Sequence, residues 1–359
     1  MDIKIITCHY AYNYGAVLQT YALYSYLISK GHNVEVINYR PWYYKGSTSS
    51  NNMFRRLFRR IIRIPDNIKS ERVFYNFLKQ NIRLSMEYTS YQDLMSANLK
   101  GDLFIAGSDQ IWNTNLPNGK DLAFYLDFTT SGKKVTYAAS LGMDNISKSD
   151  KSFFQNQLKK LDNISVREIT AKNLLHQIGV DDVEVVLDPV YLLSGEIWKK
   201  KEKKPNFKYS GKYILVYGFN HQKEIFIDAK KFAKKFGYKI YSVNTFWEYI
   251  MMDCDQYFWN CTPFEFIYLI NHAECIFTNS FHGFSFSLIF NKPVYVYRKN
   301  DSGNSRMTDL MKILNVDEEM FLYDDKFDGE CIAYDEVNNN IKSKIQKSIL
   351  YLNKVMGEL

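Results

Sequence analysis

Short apolar runs with strand character alternate with helical periods along this chain, and the alternation breaks once, at residues 199 to 212, before it restarts. Near the N-terminus IKIITC reads as a strand, Gly15 to Lys30 (GAVLQTYALYSYLISK) as a helix, Gly31 as its cap and VEVINY as the next strand. A strand, helix, strand unit implies a parallel sheet with a right-handed crossover. Further strands are expected at DLFIAG (102 to 107), KVTYAAS (134 to 140), ISVRE (164 to 168) and VEVVLDPV (183 to 190), with helices at 149 to 161 and 168 to 178.

The break, KKKEKKPNFKYSGK, is lysine-rich and contains Pro205 and Gly211, which marks a linker or exposed loop. Beyond it come YILVYGF, a helix to Phe236, YKIYSVN, a helix from Thr262 to Glu274, CIFTNS, a helix with His282, PVYVYRK and a helix from Ser305 to Leu314. A chain of 359 residues exceeds one ordinary core and suits two domains. The expected fold class is therefore α/β. One Rossmann-like half covers 1 to 198, a linker 199 to 212, a second half 213 to 333, and a C-terminal helix 334 to 359 that packs back on the first half.

The N-terminus, MDIKIITCHY, lacks the charged and apolar regions of a signal peptide, and no apolar run approaches the roughly 20 residues of a membrane helix, so a cytoplasmic protein is expected. Five cysteines without a CxxC pair and six histidines without ligand spacing give no basis for a disulfide framework or a structural metal. The net charge of +7 points to an anionic partner. Its densest cluster is RRLFRRIIR, which in helical projection places Arg55, Arg56, Arg59, Arg60 and Arg63 on one face. That face suits peripheral contact with an anionic membrane or an anionic ligand, or is simply solvated while the apolar stripe packs on its own domain. No nucleic-acid-binding motif accompanies it.

Open α/β sheets bind ligands beyond the carboxyl ends of their strands. In the first half the residues there are Asn13, Tyr14 and Gly15, then Ser108, Asp109, Gln110 and Trp112, then Arg167; in the second they are Asn279, Ser280, His282 and Gly283, with Arg306 beyond. If the halves face each other, these line one interdomain cleft. His282 follows a strand and opens a helix, where free N–H groups and the helix dipole favour an anion, a position open to either a buried structural histidine or a functional one. Arg167 suits a bidentate clamp on phosphate or carboxylate, or a salt bridge with Glu168 or Asp188. Asp109 suits sugar hydroxyls or a local turn, Tyr14 and Trp112 suit stacking on sugar or packing, and Asn279 and Ser280 are also natural helix caps. No two glycines are separated by a single residue, so a GxGxxG fingerprint is absent, as are a P-loop and a GxSxG elbow.

The ordered set NYGAVLQTYAL, GSDQIWN, SVRE, LDPVYLL and TNSFHGFSFSLIFNKPVYVY, followed by NSRMTDLMKIL, resembles the polysaccharide pyruvyl transferase family over nearly the whole chain. The resemblance implies a GT-B-like fold and transfer of a pyruvyl group from phosphoenolpyruvate to two hydroxyls of a sugar, giving a cyclic ketal and phosphate. It implies no cofactor or metal, and an acceptor that is a sugar or lipid-linked oligosaccharide of surface polysaccharide assembly. The family's histidine falls on His282 and its strand-end arginine on Arg167. The arginine that members often carry two residues before the histidine is replaced by Ser280, leaving Arg306, Arg298 or Lys292 to supply a cation, Arg306 first. On this reading His282 and Asp109 are catalytic. Arg167, Arg306, Ser280, Asn279 and Gly283 hold the donor, and Asn13, Tyr14, Gly15, Ser108, Gln110 and Trp112 hold the acceptor. The other classes the residues allow are a GT-B glycosyltransferase using a nucleotide sugar and a non-catalytic glycan- or anion-binding protein.

Overall fold

A computed structural model describes residues 1–44, 63–219, 223–247, 253–298, 305–322 and 334–358. Arg55, Arg56, Arg59 and Arg60 therefore lie outside the described residues. The first half carries strands β1 (Asp2–Ile6), β2 (Asn33–Tyr39), β3 (Leu84–Tyr88), β4 (Leu103–Ala106) and β5 (Lys133–Thr136) in the spatial order 3-2-1-4-5. A parallel pair, β6 (Ile164–Val166) with β7 (Val183–Val185), extends this sheet through bridges from Val135 to Asn163 and Ala139 to Val166. The second half repeats the order, 10-9-8-11-12, with β8 (Tyr213–Tyr217), β9 (Lys239–Asn244), β10 (Gln256–Trp259), β11 (Cys275–Thr278) and β12 (Val294–Val296). Every registered strand pair is parallel, so both sheets are doubly wound and both reverse direction next to their first strand.

The first helix, Tyr14–Ser29, is fixed at its start by Asn13, whose side chain accepts from the Gly15 amide at 2.8 Å, and it ends where Gly31 adopts a left-handed φ of 85°. Its apolar face does more than cover its own sheet. Tyr14 lies flat on Phe266 of the second half, with ring centroids 4.5 Å apart, and Tyr21 meets Phe264 and Trp198 edge-on or tilted. The two halves thus share one hydrophobic core. Asp66, on the helix Ile64–Ser70, reinforces the join by accepting from the Trp247 amide at 2.8 Å and the Trp259 indole at 2.9 Å.

Arg63 takes the N-cap position of that helix, its guanidinium 4.6 Å above the Phe246 ring, so its charge faces an aromatic of the second half. The lysine-rich break begins inside a helix, Gly195–Lys201, and only afterwards runs as irregular chain, tied to the second half by Lys203 N donating to Phe264 O at 3.0 Å. Helix propensity of the lysines explains the later start. The last helix, Tyr334–Met356, begins with the Tyr334 hydroxyl on the Lys292 carbonyl of the second half. It ends on the first half, where Tyr351 donates to Thr136 O at 2.8 Å and Ser348 accepts from Leu187 N at 2.9 Å. No described helix is long and apolar enough to cross a membrane.

Candidate active site

The order of each sheet reverses between two central strands, β1 and β4 in the first half and β8 and β11 in the second, and the crevice of such a sheet lies beyond the carboxyl ends of that pair. Two helix N-termini meet there. Tyr14–Ser29 opens from the first half, Phe281–Ile289 from the second, and His282 lies against Gly15. A Cβ added to Gly15 would stand 2.0 Å from His282 Nδ1, so only glycine admits the imidazole. Two positive dipole ends converging on a histidine form an environment that favours an anion.

On its other side His282 Nε2 is 3.6 Å from Asp188 Oδ2 and buried, with no partner at hydrogen-bond distance. Asp188 follows β7 and caps the turn Pro189–Leu192 by accepting from Val190 N at 3.1 Å. Burial alone would raise its pKa, but His282 and Arg167 hold it well below the usual carboxylate range. Ser108 Oγ donates to Asp188 Oδ2 at 2.8 Å, and Arg167 Nη1 donates to the same oxygen at 2.6 Å.

Arg167 occupies the centre of this network with a side chain 0% exposed. Besides Asp188 it bonds Glu168 at 3.2 Å and Asp109 at 3.5 Å, and its guanidinium lies 4.4 Å over the Phe281 ring. Of the two roles its position allowed, the salt bridge is the one formed. The guanidinium binds carboxylates of its own chain and reaches no solvent. Glu168 is equally buried, which raises its pKa against the opposing pull of Arg167, Ser140 and Arg306, and its Oε2 has no hydrogen-bond partner. Arg306 thus brings a charge from the helix Ser305–Ile313 of the second half to bear on this cluster. The other two cations considered point elsewhere. Arg298 pairs with Glu318 at 2.7 Å on the surface, and Lys292 feels Glu274, Lys199 and Glu202.

Asp109 is partly exposed and holds a left-handed φ of 76°, tolerated by aspartate yet uncommon outside glycine. Its Oδ1 accepts from Gln110 N at 2.9 Å, and Gln110 Nε2 reaches the Gly142 carbonyl at 3.4 Å. Asp109, Ser108, Arg167, Glu168 and Asp188 are therefore joined in one network, with His282 against Asp188 and Gly15.

Several expected ligand contacts are structural. Trp112 is fully buried, its indole donating to Phe124 O at 3.2 Å and its ring stacked on Tyr125, so it offers no face to a sugar. Tyr14 is likewise fully buried, locked between Phe266 and Phe74. In both cases an aromatic ring beside a polar motif fills the core, because burial of its area outweighs the proximity of the motif. Asn279 brackets the end of β8, donating to Phe219 O at 2.9 Å and accepting from Phe219 N at 2.8 Å. Ser280 caps the helix through Gly283 N at 3.3 Å, and Gly283 lets the helix approach Thr278 Oγ1, 2.5 Å from where its Cβ would be.

Two members of the network, Asp188 and Glu168, enter the sequence reading only as ion-pair partners of Arg167. The available signal was positional, since each lies within three residues of the end of a short strand, where ligand-facing residues lie in such sheets.

The family model described as polysaccharide pyruvyl transferase matches residues 13–299. No curated protein matches the chain. Among solved structures, a UDP-GlcNAc 2-epimerase from Methanocaldococcus jannaschii aligns at 12% identity and a TM-score of 0.51 over 96% of this chain and 93% of its own. The corresponding enzyme from Neisseria meningitidis, bound to UDP-GlcNAc, gives 13% identity and 0.49 over 98% and 100%. The Streptomyces sp. SF2575 glycosyltransferase SsfS6, complexed with thymidine diphosphate, gives 11% and 0.44 over 98% and 96%. At such identities the likeness is one of fold, the GT-B arrangement of two facing doubly wound halves. With the histidine, the strand-end arginine and the paired helix ends all inside the matched span, the chain belongs to the polysaccharide pyruvyl transferase family.

Proposed function

We propose that this protein transfers the pyruvyl group of phosphoenolpyruvate onto two hydroxyls of a sugar, with release of phosphate, in surface polysaccharide assembly. The observation that carries the reading is the placement of His282 between two converging helix N-termini, backed by Asp188. Phosphoenolpyruvate bears about three negative charges near neutrality, and its charges suit the helix ends together with Arg306.

The chemistry needs a proton at the terminal methylene, which turns the enol carbon into a cation that the first sugar hydroxyl attacks. His282 supplies that proton. With Nε2 toward the Asp188 carboxylate, 3.6 Å away, Nδ1 is the nitrogen that gives it up. Asp109 takes the proton of the attacking hydroxyl. Departure of phosphate regenerates a cation at the same carbon, and the second hydroxyl closes the ketal, its proton passing to the site as phosphate leaves. Overall one phosphoenolpyruvate and one diol give one ketal and one phosphate.

Arg167 has a positioning role here, holding Asp188, Glu168 and Asp109 in fixed relation rather than gripping the donor. Calorimetric titration with phosphoenolpyruvate alone tests the donor assignment. The expected result is saturable binding that weakens roughly tenfold to a hundredfold in Arg306→Ala, the loss typical of a charged hydrogen bond. Absence of binding to the wild type would overturn it.

A further inference from the structure

At the carboxyl ends of β2 and β3, away from His282, the first half carries an open groove of about 360 Å³. Its walls include Tyr39, Trp42, Tyr43, Ser90, Tyr91 and Asp121. Trp42 is 77% exposed, an unusual cost for an indole unless something covers it. Trp42 and Tyr43 meet edge to face, with centroids 6.1 Å apart. The groove is also rigid. Tyr39 and Tyr43 both donate to Asp121 Oδ2 at 2.6 Å, while Asp121 Oδ1 accepts from Ala123 N at 3.0 Å, so the carboxylate pins two phenols and the turn beneath them.

The charge of this groove selects its ligand. Of the two charged residues that line it, Lys120 is paired with Asp150 at 2.5 Å and Asp121 is bonded to two phenols, so the lining holds no excess of positive charge that would select phosphate or carboxylate ligands. Aromatic faces beside hydroxyls and a carboxylate suit a neutral ring with an apolar face and hydroxyls at its edge. The volume falls within the range of a small-molecule site.

The groove is tied to the catalytic network by a single stretch of chain. Asn118, in the turn that leads to Asp121, donates to Gln110 O at 2.7 Å, and Gln110 follows Asp109. A glycan laid in the groove is thereby on the same sheet edge as Asp109.

We propose that this groove is an acceptor subsite that binds a neutral pyranose of the glycan, remote from the sugar that reacts, through Trp42, Tyr91 and Asp121. The subsite rests on the pyruvyl transfer reading for its biological use, though its binding does not depend on the donor. The test is saturation-transfer NMR on the full chain with cellotriose, maltotriose and a β-1,4-linked galactotriose, for the wild type and for Trp42→Ala. Trp42 is exposed, so its replacement leaves the fold intact, which circular dichroism checks. The expected result is transfer to ring protons of at least one trisaccharide, with affinity about tenfold weaker in Trp42→Ala. No transfer to any of the three, or transfer untouched by the substitution, overturns the proposal. So does a dimer in sedimentation that Trp42→Ala dissociates, since a second copy would then be the occupant. Trp42-dependent binding without phosphate release from phosphoenolpyruvate would leave the subsite standing and remove the transfer reading. Phosphate release with no such binding would do the reverse.

Discussion

His282 Nε2 and Asp188 Oδ2 stand 3.6 Å apart across the join of the two halves, and each side of the pair is built by a different sheet. The second half alone presents the histidine without a carboxylate, and the first presents the carboxylate, held by Arg167 and Ser108, without the histidine. Together they place the imidazole beside a fixed carboxylate, which neither half does alone. Replacing His282 by Ala should lower turnover on the order of 10²- to 10⁴-fold, the range of a positioned general acid. Asp188→Asn should lower turnover in the same direction, with kcat falling more than KM rises, because the carboxylate facing the ring is lost. Steady-state kinetics of the two variants checks both.

Asp188 also links the site to acid stability. Its folded pKa is depressed, so its contribution is present above the unfolded value of about 3.9 and is lost as pH falls toward the folded one. Urea melts from pH 5 down to about pH 2 should show wild-type stability falling below about pH 4, with a flatter profile for Asp188→Asn. At pH 7 the same variant should be destabilised by about 3–5 kcal/mol, since Arg167 loses a buried partner.

Gly15→Ala should inactivate without unfolding. The residue sits in the first turn of a helix where alanine is otherwise favourable, by up to about 1 kcal/mol. Its Cβ, however, would occupy the place of the His282 ring. A folded protein destabilised by about 1–3 kcal/mol through overpacking, with turnover reduced at least as far as in Asp188→Asn, is the expected outcome. Retained activity would show that the ring can move aside at no cost.

His9 provides a separate pH dependence. It is fully buried beside β1, with Nδ1 on the Thr7 carbonyl at 3.0 Å, and burial lowers its pKa to about 4. A histidine kept neutral when folded stabilises fully above the unfolded pKa of about 6.5 and progressively less as pH falls toward the folded value. Stability should drop by about 1 kcal/mol per pH unit in that window. His9→Gln should remove most of the slope, which denaturant titrations at pH 7.5 and pH 5 will reveal.

Tyr14 and Phe266 hold the halves together, and Phe266→Ala should cost about 3–5 kcal/mol while leaving no acceptor-specific defect. Kinetics with short and long acceptors at a temperature well below the melting point separates these effects.

Much of this architecture was legible in the chain. The alternating periods placed both sheets, because a strand buried on both faces, such as Tyr213–Tyr217, reads as an unbroken apolar run. Strands β3 and β10 were not expected, because LSMEY and QYFW are only partly buried and lack that signature. The folded chain brings His282 against Gly15 and joins Arg167 to Ser108 and Asp109. His282 and Gly15 are 267 residues apart in sequence, and no local pattern says that one fills the space left by the other. Arg167 showed the right chemistry for a ligand clamp, but its partners Asp109 and Asp188 come from other loops, and only the folded chain shows that they reach it first. Tyr14 and Trp112 mislead for the opposite reason, since a ring beside a polar motif carries no sequence mark of which side it faces.

The most direct test of pyruvyl transfer by His282 is incubation with phosphoenolpyruvate and a panel of galactosides, glucosides and mannosamine derivatives, with His282→Ala in parallel. Phosphate release and acceptor mass are followed together. The expected result is phosphate matched mole for mole by an acceptor heavier by pyruvic acid less one water, and loss of both in the variant. Phosphate release that survives in His282→Ala, or acceptors left unchanged by the wild type while phosphoenolpyruvate binds, would contradict it.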